Sequence, residues 1–115
     1  SYAAGELKHG TISLIDEDVP VIAVATQTDI IPKTISNVVE VKSRGAKVIL
    51  VCTDACAREL KDGVADYVIE IPHTDELLMP ITAVVPLQIL AYYTSINRGI
   101  DPDKPKNLAK SVTVE

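Results

Sequence analysis

The chain has no phenylalanine and no tryptophan, and its few aromatic residues are four tyrosines. A core without large rings has to be filled by aliphatic side chains, and these dominate the 47% hydrophobic fraction. That fraction excludes a disordered chain, and its β-branched runs suit a parallel sheet buried on both faces. Cysteine is scarce, with two in 115 residues. Two thiols make no disulfide framework and fit a reducing, cytoplasmic setting. Cys52 and Cys56 stand four apart, but a metal site would need two further ligands, and neither His9 nor His73 is near them in sequence. They read as ordinary half-buried thiols after a strand, so no metal and no cofactor is expected.

Glycine is equally sparse. The five glycines are scattered, and none forms G-x-G-x-x-G or G-x-x-x-x-G-K-[ST], which leaves nucleotide binding unsupported; G-x-S-x-G is absent as well. Positive charge is in deficit, with 11 Lys and Arg against 16 Asp and Glu, a net charge of −5. Without clustered basic residues there is no phosphate-neutralising surface, which excludes a nucleic-acid partner. The longest apolar stretch, residues 77–96, is interrupted by Pro80, Thr82, Pro86, Gln88, Thr94 and Ser95. It is not expected to span a membrane, and the start of the chain has no signal-peptide pattern.

What is present is an alternation of strands and helices. The run VPVIAVA at residues 19–25 reads as a strand after the acidic turn Asp16, Glu17, Asp18. Thr28 or Asp29 then caps a helix to about Arg44, with Pro32 in its first turn, Ile31, Ile35, Val38, Val39 and Lys42 on one face, and Gly45 as its stop. Residues 46–52 form a second strand, Thr53 or Asp54 caps a short helical turn over residues 55–60, and residues 64–71 form a third strand. Such alternation implies right-handed crossovers and a parallel sheet. A long helix follows over residues 75–97, kinked by Pro86; being apolar all round, it belongs in a core or an oligomer interface. No strand precedes the opening SYAAGELKHG, so the α/β domain is expected to be truncated at its amino end, or the opening forms an ordered arm.

Two candidate reactive residues lie at opposite ends. His9, beside Glu6 and Lys8, is a proton shuttle or an ordinary surface histidine; an imidazole titrates near neutrality, which suits both giving and taking protons. Lys110 sits among small and apolar neighbours in the tail PKNLAKSVTVE, after the Pro-broken segment at residues 101–104. It is a solvated tail lysine, or an amine whose pKa is lowered by desolvation so that it acts as a nucleophile.

YAAGELKHG at the start, VPLQILAY at residues 85–92 and PKNLAKSVTVE at the end resemble, in order, the isomerase region of the glucosamine-6-phosphate synthases. These are enzymes of the sugar-isomerase (SIS) fold. The resemblance implies a three-layer α/β/α, flavodoxin-like SIS fold with a mainly parallel sheet over residues 1–100 and a tail over residues 101–115 that closes the active site. It implies a fragment of a cytoplasmic, homo-oligomeric enzyme that passes ammonia from glutamine to fructose 6-phosphate and isomerises the product to glucosamine 6-phosphate. Lys110 would engage the sugar carbonyl as a Schiff base and His9 would serve ring opening from the neighbouring subunit. Ala109 and Val112 would lie beside the sugar or the ammonia passage. The glutaminase domain, the first SIS domain with its phosphate loop, and the family's glutamate base would all lie outside this chain, so the isolated chain is expected to be inactive. Two other readings stay open on the residues: a phosphosugar-binding regulatory SIS module without chemistry, and a deaminase-type SIS enzyme that releases ammonia.

Overall fold

The structure, a computed structural model, describes residues 1–104. The described residues fall into two compact units, Ser1–Ala83 and a second that begins at Val84. The first contains three strands: β1 (Pro20–Ala25), β2 (Lys47–Thr53) and β3 (Tyr67–Ile71). They pair in parallel in the order β1-β2-β3, with Val21 opposite Val48, Ala23 opposite Leu50, and Leu50 opposite Val68. The expected strand, helix, strand alternation is therefore what forms.

The helices between the strands are α1 (Ile31–Ser43) and α2 (Asp54–Glu59). Both cover one sheet face, because Val38 and Val41 of α1 and Cys56 of α2 share a buried cluster with Ala25, Val48, Leu50 and Cys52. Side chains alternate across a strand, so these sheet residues point the same way in register. Two crossovers of the same hand, stepping in one direction across the sheet, place both helices on that side. Val51 and Ile71, on the other face, are buried outside this cluster.

Several boundaries differ from the sequence expectation for identifiable reasons. Neither Thr28 nor Asp29 caps α1: both lie in a short 3-10 helix, Thr28–Ile30, that runs into α1 behind Ile30, and no side chain bonds to the first turn. The buried stripe of α1 is Thr34, Val38 and Val41, a spacing of four and three, whereas Val39 is 48% exposed. Thr53 does cap α2, accepting a bond from the Cys56 N–H at 3.4 Å. Cys52 and Cys56 are fully buried rather than half-buried.

Gly45 ends α1 at φ +93 and donates its N–H to the Lys42 carbonyl at 3.0 Å. Its own carbonyl accepts from the Asp18 N–H at 2.9 Å, which ties the turn before β1 to the turn before β2. On the other side of β2, the Asp66 carboxylate accepts from the Val48 N–H at 2.7 Å and from the Lys42 amine at 2.5 Å, with Lys47 at 3.5 Å. The bond from Lys42 comes first among the causes that hold its pKa to about 2, followed by the bond from the Val48 N–H. One carboxylate thus joins α1, β2 and the approach to β3.

The last helix, α3 (Met79–Asn97), starts four residues later than expected because residues 75–78 form a turn. There the Asp75 carboxylate accepts the Leu77 N–H at 2.9 Å, and the Asp75 carbonyl accepts the Met79 N–H at 3.0 Å. Within α3 only Met79 and Ala83 are buried, and both belong to the first unit. The second unit holds the remainder of α3, where Tyr92 and Tyr93 meet edge to face at 5.4 Å between ring centroids.

Candidate functional site

The opening of the chain is an ordered arm, built from two 3-10 helices, Ala4–His9 and Thr11–Leu14. Between them Gly10 adopts φ +154, a conformation that a side chain would resist. Its carbonyl accepts from both the backbone N–H of Ser13 at 3.0 Å and the Ser13 hydroxyl at 2.7 Å, which holds the turn just past His9.

Two contacts attach the arm to the rest of the fold. Leu7 packs against the buried cluster under α1. Lys8 reaches across to α1, where its amine lies 2.7 Å from the Glu40 carboxylate; Arg44 lies 3.9 Å from the other oxygen of Glu40. In a 3-10 helix successive side chains point about 120° apart. With Leu7 turned to the core and Lys8 turned to Glu40, His9 takes the remaining direction, and it is exposed.

Between the arm and the start of α1 lies a cleft of about 650 Å³, whose lining includes Tyr2, Lys8, Gln27, Lys33, Thr34 and Asn37. It opens near the carboxyl end of β1, where parallel sheets commonly bind ligands. His9 is not part of its lining. Lys110, Ala109 and Val112 lie outside the described residues.

The two cysteines are unsuited to nucleophilic work. Burial, and after it the neighbouring Cys56 thiol, pushes Cys52 up to about 12, and burial also raises Cys56. The thiolate is the nucleophile, so a thiol held protonated is a weak one. What sequence reasoning missed is Glu40. It was one charged residue on a helix, and nothing local shows that it meets a lysine 32 positions away.

The model of the SIS domain family matches residues 1–98. The chain belongs to the SIS domain family. The match runs through all of α3, whose mean hydropathy of 1.3 would otherwise suit a bilayer span, and so assigns that helix to the domain. A solved structure described as the C-terminal domain of glucosamine-fructose-6-phosphate aminotransferase from Francisella tularensis superposes with a TM-score of 0.81 at 35% identity, over 87% of this chain and 28% of that one. This bears out the SIS-type α/β fold.

Curated relatives are more similar in sequence. The glutamine–fructose-6-phosphate aminotransferase (isomerizing) of Clostridium perfringens is 53% identical over all of this chain. That of Lactiplantibacillus plantarum is 56% identical over 99% of it. The Methanothermobacter thermautotrophicus protein of the same name is 51% identical over 99%. The chain spans about a fifth of the length of these relatives, 18–19%.

Proposed function

We propose that this SIS chain is part of an enzyme that makes glucosamine 6-phosphate from fructose 6-phosphate and glutamine, and that it contributes two groups to the isomerase site. The observation that carries this reading is identity of 51% or more across essentially the whole chain, both ends included, to relatives bearing the aminotransferase (isomerizing) name. At that similarity the two motif-bearing ends, with His9 and Lys110, fall inside the matched region.

In this mechanism the Lys110 amine, unprotonated, attacks the C2 carbonyl of the open-chain sugar, and loss of water leaves an imine. A water-poor pocket favours the neutral amine and protects the imine from hydrolysis. Before that step the sugar ring has to open, which moves a proton from the anomeric hydroxyl to the ring oxygen, and His9 carries that proton. Ala109 and Val112 border the sugar or the path of ammonia. Transfer of hydrogen between C1 and C2 needs a carboxylate from another part of the protein, so these 115 residues alone do not turn over fructose 6-phosphate. The protein works as a homo-oligomer in the reducing cytoplasm, where Cys52 and Cys56 remain thiols.

The test is Lys110→Ala in the full-length protein, assayed separately for glucosamine 6-phosphate formation and for glutamine hydrolysis. Synthesis is expected to be lost while hydrolysis survives. Unchanged synthesis refutes the assignment.

A further inference from the structure

His9 cannot hold its own direction. The 3-10 helix that carries it has six residues, none buried, with no side-chain cap at its start, and Gly10 follows it. Hydrogen-bond geometry in a 3-10 helix is poor, and short pieces depend on outside contacts. Leu7 supplies one such contact, but a single aliphatic anchor leaves the helix free to roll about its axis. The second contact is the Lys8 amine at 2.7 Å from Glu40, on a helix that is itself fixed by buried Val38 and Val41 on either side of Glu40 in sequence.

Glu40 is well suited to this. It sits one turn before the end of α1, its side chain is 33% exposed, and Arg44 at 3.9 Å on its other oxygen balances a second positive charge against it. Leu7 and Lys8 therefore fix two of the three directions of the turn, and the third belongs to His9.

We propose that the Lys8–Glu40 ion pair is a positioning pair that sets the orientation of His9 for proton transfer during sugar ring opening. The inference rests on the reading of His9 given above. Neither Lys8 nor Glu40 is a catalytic residue; each acts through His9. An exposed pair of this kind is worth little to overall stability. Its role is in the fraction of time the arm spends in the competent orientation, and turnover scales with that fraction.

The experiment uses the full-length enzyme with Lys8→Met, Glu40→Gln and His9→Ala, each assayed on two substrates. One is fructose 6-phosphate. The other is 5-deoxyfructose 6-phosphate, which lacks the hydroxyl that closes the furanose ring and so needs no ring opening. Lys8→Met and Glu40→Gln are each expected to lower kcat on fructose 6-phosphate about two- to five-fold, the range an exposed ion pair supports, and to leave kcat on the 5-deoxy sugar unchanged. His9→Ala is expected to show the same selectivity with a larger loss. If His9→Ala is selective but the two pair variants are not, the positioning role is overturned while the reading of His9 stands. If His9→Ala slows both substrates alike, or neither, the reading of His9 fails and the pair's role fails with it.

Discussion

Replacing Gly45 by alanine should be one of the most damaging single-methyl additions in this chain. Two separate costs apply. At φ +93 an alanine sits in left-handed space, which costs about 1–2 kcal/mol. Its Cβ would also lie 3.0 Å from the Glu17 Cα, a backbone atom that cannot rotate out of the way. Forcing such a contact apart costs about 1–3 kcal/mol by the standard of overpacked interiors. The strain here falls on the bond from the Asp18 N–H to the Gly45 carbonyl, because both sides of the clash carry that link. Against these stands about 0.4–1 kcal/mol gained from the stiffer unfolded chain. The net loss is about 1–5 kcal/mol, set against the ~5–15 kcal/mol that stabilises a domain.

Gly63 provides the control. It has φ +80 and nothing within 4 Å of an added Cβ, so Gly63→Ala carries the conformational cost alone, under about 1.5 kcal/mol. Urea unfolding followed by circular dichroism measures both variants against the parent. Equal midpoints for the two alanine variants would refute the close approach of the Asp16–Asp18 turn to the end of α1.

Two further outcomes follow from titratable groups. Asp66 has its folded pKa depressed from 3.8 to about 2, so its stabilising contribution is present above pH 3.8 and is lost as pH falls through about 2. Asp66→Asn should accordingly be less stable than the parent at neutral pH, with the gap closing between pH 4 and 2; a gap independent of pH in urea unfolding contradicts the network around Lys42 and Val48. Cys52 and Cys56 are buried and held protonated, so an aromatic disulfide reagent at pH 8 should label them only as fast as the chain opens. Rapid labelling of either thiol under native conditions rules out their placement in the core.

The parts legible in the sequence were those with a local cause. The run VPVIAVA and the run over residues 46–52 become β1 and β2 within one residue at each end, because short apolar stretches rich in β-branched residues and bounded by turn residues have few other uses. The sequence offers Thr53 or Asp54 as the cap of α2, and Thr53 is the one that caps it, since a capping side chain and its target N–H are three residues apart. Where the structure departs from the sequence pattern, a competing local bond is responsible. The apolar pattern starts the last helix at Asp75, but the carboxylate and carbonyl of Asp75 close a turn instead, which delays α3 to Met79. Val39 and Val41 are equally apolar, and periodicity alone did not separate the buried one from the exposed one.

The sequence by itself determined the alternation of strands and helices and, through YAAGELKHG and PKNLAKSVTVE, the family and its two candidate reactive residues. Both rest on short-range information: hydrophobic period in the first case, contiguous motif in the second. Only the tertiary structure decided which groups meet across long stretches of chain. Lys8 finds Glu40 and Lys42 finds Asp66 because β1 and β2 run parallel with α1 crossing between them, which carries the arm and the approach to β3 against the same helix. Such pairings depend on the path of the backbone, to which no residue in either segment refers.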